Sequence, residues 1–444
     1  MASSEKSEEN HEERKRIGSP TVEAAVAEAL LKKAKSIYRG EALAPMVRAS
    51  TTPLRTLALS YGADWVYTEE LVDRALTGTI RVENKELGTI DYVKDASTMS
   101  KKSKKQLAKE GRAPIILRID PKKERGKLVC QLGSGEPDLA LAAALHVHQD
   151  VDAIDLNMGC PKKFSVSGGM GSALLSDPER ACRIIRTLTE NLSSKGIPVS
   201  AKIRLLKDVS STVAFIAGLV EAGAKAIAVH GRQVSDDCTV PARWSMLREV
   251  IKEAVHRFPH IPFLLNGDFY TRDEFVSFMR DTGARGVLLA RPALFNTSIF
   301  CKPSPDADPS LKLDYTSSLL LDKTRVVQEY IQEAVKYDTH FKNVKYVVCE
   351  MLTNRRAPSP RTPFLTHNFA KDRTIATTCN CHSLQDICKV WGVDYSSLVE
   401  ARNITGSQAP TGEHRYEDSY FLGDRNDVRR TELLGSEVKR ARKV

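Results

Sequence analysis

Cys160 stands in the run DLNMGCPKK, shortly after Asn157 and directly before Pro161, Lys162 and Lys163. A thiol in this setting can act as a nucleophile, a metal ligand or a proton donor, and residue types alone leave the three open beside inert packing. Proton donation suits neutral pH, because an unperturbed thiol of pKa about 8.5 stays mostly protonated there. The flanking lysines pull the other way, since positive charge favours the thiolate. Just beyond lies SVSGGMGSALL, where Gly168, Gly169 and Gly171 predict a pliable loop beside the thiol.

Other polar residues recur at the ends of short apolar runs. Glu69 and Glu70 follow one, Gln131 lies near the end of another, and Lys202 with Arg204 closes VSAKIR. His230-Gly231-Arg232 follows AIAV, Asn266-Gly267-Asp268 follows PFLL, and Ala290-Arg291 follows GVLL. An inward-pointing Lys202 is costly unless an anion faces it, either Glu69 or Glu70 in an ion pair or an anionic ligand. His230 reads equally well as a satisfied core histidine. Gly267 would let the backbone approach a phosphate closely, and Arg291 would add charge to it.

The elements that must position these groups follow from the same runs. Residues 41–46, 64–69, 127–132, 151–157, 199–204, 226–231, 262–267 and 286–291 read as strands. The stretches 177–192, 209–222 and 271–281 between them carry apolar residues at helical spacing, with Asp177-Pro178 as an N-cap and Gly223 and Gly283 at C-termini. Strands alternating with helices predict an α/β fold, a closed (β/α)8 TIM barrel, whose site lies at the C-terminal strand ends. A doubly wound sheet lacks support, since no GxGxxG follows the first strand.

The segment 78–112 holds no strong helix, is rich in Lys, Asp and Ser, and predicts an inserted loop or a poorly formed region. Amphipathic patterns at 314–336, at 341–353 and from Ser383 to Trp391 predict a smaller C-terminal helical domain. The expected organisation is a charged, largely disordered extension over 1–35, with helical character from Thr21, and then a barrel over 36–305. A helical domain over 310–400 and a basic, flexible tail over 401–444 complete it.

Composition narrows the function classes. A net charge of +10 and a pI near 9.0 favour an acidic partner such as nucleic acid or a phosphorylated cofactor. Nine cysteines without small-scaffold spacing predict reduced thiols inside the cell. The N-terminus lacks a signal-peptide pattern, and no apolar run approaches the roughly 20 residues needed to span a bilayer. The expectation is an intracellular, cytoplasmic protein without membrane contact or an obligate protein partner, with Lys439, Arg440, Arg442 and Lys443 open to reading as a nuclear address. Cys379-Asn380-Cys381-His382 with Cys388 does not follow the paired CxxC of structural zinc, so no metal is expected.

Taken together, APMV at 44–47, Gln131, DLNMGCPKK with GGMGSALL, KIR at 202–204, HGR at 230–232, NGD at 266–268 and AR at 290–291 resemble the tRNA-dihydrouridine synthases. MVRASTTPLRTLALSYGAD and YTEEL are similar to the eukaryotic subgroup acting at position 20 of the tRNA D-loop. The resemblance implies an FMN enzyme that reduces a uracil ring with electrons from NADPH or NADH. It implies Pro45, Met46 and Val47 along the flavin ring, Gln131 and Lys202 at its polar edge, and Glu70 nearby. His230, Asn266, Gly267, Asp268, Ala290 and Arg291 would hold the ribityl chain and phosphate. Asn157 would orient the uracil, with Lys162, Arg204 and Arg232 on the substrate side. Hydride would arrive at C6 and Cys160 would protonate C5.

The target base would have to be extruded from folded tRNA. Phosphate contacts would come from Lys342, Lys345, Arg355, Arg356, Arg361, Lys371 and Arg373. Animal members of that subgroup often append a double-stranded-RNA-binding domain, whereas the residues after Asp394 are too few for a full copy. The competing readings are a flavin barrel oxidoreductase acting on a free pyrimidine-like molecule and a non-catalytic RNA-binding barrel.

Overall fold

The computed structural model describes residues 22–101, 104, 105, 108, 113–302, 320–353 and 373–407. Its strands are β1 (Gly40–Leu43), β2 (Trp65–Val72), β3 (Thr79–Asn84), β4 (Thr89–Lys94), β5 (Ile115–Ile119) and β6 (Leu128–Gly133). They continue with β7 (Ala153–Asn157), β8 (Val199–Arg204), β9 (Ala226–His230), β10 (Phe263–Asn266) and β11 (Gly286–Leu289). All the expected barrel strands form, and they close in the order β1-β11-β10-β9-β8-β7-β6-β2. Every pairing around the ring is parallel.

Strands such as AIDLN and FLLN are buried along their whole length, as parallel strands beneath a jacket of helices must be. Alternate residues face opposite ways. Ile154, Leu156 and Val199 join the core shared with the helices. Ala42, Val129, Ala153, Ala226, Ala228 and Leu264 form a separate cluster with Trp65 and Tyr67. Alanines dominate this inner cluster because it must also admit Ala34, Ile37 and Tyr38 from the helix Val22–Ile37 and the turn after it. That helix fills the N-terminal end of the barrel, so the open end is the other one.

Caps set the helix limits as expected. Asp177 accepts the Arg180 N–H at the start of Pro178–Leu192, and Thr271 forms a capping box with Glu274 before Arg272–Thr282, which ends at Gly283 with φ 77°.

The segment 78–112 departs from expectation. β3 and β4 pair with β5 in an antiparallel sheet outside the barrel. Beside an apolar cluster of Val93, Met99 and Ala113, it buries a charge: the Asp91 carboxylate accepts bonds from Arg118 at 2.7 and 2.6 Å, Asn84 at 3.1 Å and Thr89 at 3.0 Å. A search for apolar runs misses a sheet organised around a satisfied buried charge. Part of the segment, including 109–112, lies outside the described residues.

The C-terminal helices are Lys323–Lys336, Phe341–Leu352, Ile375–Cys379, Leu384–Trp391 and Tyr395–Ser407. The first starts later than its apolar pattern suggested, because Asp322 caps it by accepting the Thr324 and Arg325 N–H groups. Val344, Val347, Val348 and Met351 are buried on one stripe as read from the sequence. Thr56 donates to Glu333 at 2.7 Å, Tyr61 to Glu329 at 2.6 Å and Tyr337 to Asp120 at 2.6 Å, fastening these helices to the barrel.

Expectations for residues 1–21, for 314–319, for the tail beyond 407 and for Arg355, Arg356, Arg361 and Lys371 fall outside the described residues. Among the described residues no helix is long and apolar enough to cross a membrane, and no cluster of His, Cys, Asp and Glu has the makings of a metal site. Cys379 instead lies 3.6 Å from the Cys349 thiol.

Candidate active site

Strand register assembles the polar residues into a ring. Glu70 sits opposite Gln131, Gln131 opposite Asp155, Asn157 opposite Lys202, Arg204 opposite His230, and His230 opposite Asn266. These ends surround a cavity of about 480 Å³. Pro45, Val47, Glu70, Gln131, Asn157, Cys160, Lys162, Lys202, Arg204, His230, Arg232, Asn266, Gly267, Ala290 and Arg291 all line it. Of the residues singled out from sequence, Met46 and Asp268 do not. Met46 packs on the core, and Asp268 is buried behind the wall.

Asp155 anchors one side. Its carboxylate accepts Ser200 Oγ at 2.6 Å and Gln131 Nε2 at 2.8 Å, and Ser200 in turn accepts the Tyr38 hydroxyl at 2.8 Å. Burial pushes the Asp155 carboxyl up to about 6, against the pull of the Ser200 and Gln131 bonds. Gln131 Oε1 accepts Asn157 Nδ2 at 3.3 Å, and Asn157 Oδ1 accepts the backbone N–H groups of Gly159 at 2.8 Å and Cys160 at 3.2 Å. Each amide therefore has its oxygen engaged and one N–H left for a ligand. Their orientation is inherited from Asp155.

The Cys160 loop is held as tightly. Arg204 Nε donates to the Gly159 carbonyl at 2.8 Å, and the Ser172 N–H donates to the Cys160 carbonyl at 2.9 Å. Gly171 has φ 58°, and a Cβ there would lie 2.6 Å from the Cys160 oxygen, so only glycine closes the loop over the thiol. Burial first, and then the Glu70 charge, push the Cys160 thiol up, while the Lys162 backbone and Ser165 act against them. The thiol is thus protonated at neutral pH, which favours a proton donor over a nucleophile.

Lys202 is buried, and burial with the neighbouring Arg204 brings its ammonium down to about 8. Its amine makes no ion pair with Glu69 or Glu70, and no partner for it exists among the described residues. His230 is pushed well below its ordinary value by burial and by Lys202, Arg204, Arg232 and Arg291, so it is a neutral imidazole.

The arginines that line the cavity also bond within the protein. Arg232 donates to Asp268 at 2.6 Å and to the Val240 carbonyl at 2.6 Å. Arg291 also donates to Asp268, and to the Cys238 carbonyl at 2.9 Å, while Arg204 donates to Gln233 O at 2.8 Å. Three strand ends thereby pin the loop that follows β9. That loop adds Asp236, Asp237 and Cys238 to the cavity wall. Sequence reading stopped at Arg232; the signal available was the acidic pair after HGR.

The family model for dihydrouridine synthase matches residues 42–373. The chain belongs to the dihydrouridine synthase family. Relatives named as tRNA-dihydrouridine(20) synthases acting with NAD(P)+ are 35% identical over 358 residues in Schizosaccharomyces pombe and 33% identical over 329 residues in Saccharomyces cerevisiae. These matches cover 80% and 72% of this chain, and 65% and 78% of the relatives. A relative named as a tRNA-dihydrouridine(20a/20b) synthase, also from S. pombe, is 28% identical over 58% of this chain and 67% of its own length. For this dihydrouridine synthase family member, the match takes in every barrel strand from β2 to β11 and the first two C-terminal helices.

Proposed function

We propose that this protein reduces a uridine of tRNA, at position 20 of the D-loop, to 5,6-dihydrouridine, with FMN as its cofactor and NADPH or NADH as electron donor. The observation that carries the reading is the Cys160 thiol held in a cavity that also contains the amine of Lys202, unpaired among the described residues, and two pre-oriented amides.

The cavity suits a flavin by its donor set. Lys202 supplies a cation that makes no ion pair among the described residues to the edge that gains negative charge, and Gln131 supplies an N–H beside it. A Cβ on Gly267 would meet protein atoms only at 3.5 Å or more, so protein packing does not demand the glycine. When bound, the flavin would supply the hydride for uracil C6.

The chain does the rest. Pro45, Val47 and Ala290 wall the cofactor and His230, Asn266, Gly267 and Arg291 hold its polar tail. Asn157 orients the uracil, Lys162 faces its phosphate side, and Cys160 delivers a proton from Sγ to C5. Arg204 and Arg232 act on substrate only through the loops they fix. A second cavity of about 430 Å³ lies between the loop after β1, β5 and the turn before helix Phe341–Leu352, with Arg48, His340 and Lys342 in its wall. Arg48 and Glu69 in its wall are the chain neighbours of Val47 and Glu70 at the mouth, and it serves the tRNA around the extruded base.

Mass mapping of dihydrouridine in tRNA with and without the protein tests activity and position together. Dihydrouridine at position 20 is expected, from a yellow protein. A colourless protein that takes up no FMN would overturn the reading, as would tRNA that stays unmodified while a free pyrimidine is turned over.

A further inference from the structure

β2 does not run straight into the mouth of the barrel. Its register against β6 slips between Tyr67 and Glu70, which re-aims the end of the strand and places Glu70 opposite Gln131 at the cavity. β6 makes room for the side chain: a Cβ on Gly133 would stand 2.8 Å from Glu70 Oε1. That oxygen is buried and has no hydrogen-bond partner among the described residues. Its neighbour behaves otherwise, since Glu69 accepts the Arg48 N–H. Of two adjacent carboxylates, the fold satisfies one and leaves the other open at the thiol.

The groups that face Cys160 come from three elements. Glu70 reaches it from β2, Lys202 and Arg204 from β8, and Lys162 with Ser165 from its own loop. Lys202, the obvious counter-ion for Glu70, does not bond to it. We propose that Glu70 is the proton partner of Cys160, keeping the thiol protonated at rest and returning a proton to the thiolate after each transfer. This rests on the reading of Cys160 as the acid.

In the forward step the S–H bond breaks as the C5–H bond forms, which leaves a thiolate beside Glu70. Two adjacent negative charges raise each other's proton affinity, so the carboxylate captures a proton from solvent at the cavity mouth. The carboxyl O–H then breaks as S–H re-forms. One proton enters and one leaves per cycle, and the relay moves no electrons.

Alkylation of Cys160 by iodoacetamide, read by mass spectrometry of its peptide between about pH 6 and 10, reports the thiol's titration in the protein as purified. The wild-type midpoint should lie above the ordinary value of about 8.5. Glu70→Gln should lower it by roughly one unit and speed alkylation at neutral pH about threefold, because the more abundant thiolate is also less nucleophilic. Glu70→Asp should restore most of the wild-type profile. In turnover, Glu70→Gln should lose rate most at high pH, with little change in KM for tRNA.

An unshifted midpoint in Glu70→Gln would overturn the proposal. So would a wild-type midpoint at or below about 8.5, which needs no variant to fold. If Cys160→Ala still makes dihydrouridine, the acid reading falls whatever the alkylation shows. If Cys160→Ala is inactive and the midpoint does not move, Glu70 alone is dismissed.

Discussion

The two sides of the barrel mouth treat their charges in opposite ways. On the side built from β9 to β11, Asp268 holds both Arg232 and Arg291, and further donors of both arginines go to carbonyls of the loop after β9. On the side built from β2 and β6 to β8, among the described residues Lys202 has no ion-pair partner, Glu70 Oε1 accepts no bond, and Gln131 and Asn157 each keep an N–H. Leaving polar groups unsatisfied costs about 1–3 kcal/mol apiece. A fold keeps such groups only where something else satisfies them, or where their reactivity is needed. Asp268 therefore fixes the wall on the β9–β11 side, while the groups left open on the other side are available to a ligand.

Variants from the two sides should separate activity from stability. The largest effect is expected for Cys160→Ala, which should reduce dihydrouridine formation by about 10²- to 10⁴-fold, the range for removal of a general acid. Its melting temperature should match wild type. A variant that lost both would place the thiol with the fixed wall.

Asp268→Ala should show the reverse weighting. It strands the buried Arg232 guanidinium and frees the partly exposed Arg291, and should cost about 3–5 kcal/mol of stability, read as a lower denaturant midpoint. A near-neutral Asp268→Ala would mean that the arginines do not depend on their shared carboxylate, and the comparison would fail.

Asp155 gives a pH test. Its folded carboxyl titrates at about 6, above the usual value near 3.8, so the unfolded chain is the readier to ionise. The stability this contributes is complete below the unfolded value and is lost as pH rises through about 6. Relative to Asp155→Asn, wild type should therefore lose roughly 2–3 kcal/mol between about pH 4 and 6. Equal slopes in paired unfolding curves would show that Asp155 is not strained by burial.

The smallest effect on stability is expected for Lys202→Met. The amine has no ion pair to lose, so the melting temperature should stay level or rise while retention of FMN falls. A clear loss of stability would reveal a hidden partner and move Lys202 to the other side.

Much of this arrangement was legible from residue order. The barrel strands came from apolar runs, because a strand covered on both faces must be apolar along most of its length. Most of the site came from the polar residue ending each run, because a barrel brings strand ends together. Two things were not legible. The sheet of β3, β4 and β5 is organised by Asp91 and Arg118, and a buried ion pair between distant residues leaves no periodic trace. The bonds of Arg204 and Arg232 to the Gln233 and Val240 carbonyls were also hidden, since an arginine suits a phosphate as well as a backbone carbonyl.

Sequence by itself determined the barrel, the place of the thiol on a glycine-bearing loop, and the family. Only tertiary structure decided which polar groups satisfy one another and which stay open, because that depends on register and on distances between strands far apart in the chain. Glu69 and Glu70 are neighbours of one chemical type, and a slip in one strand sends the first to a backbone N–H and the second to Cys160.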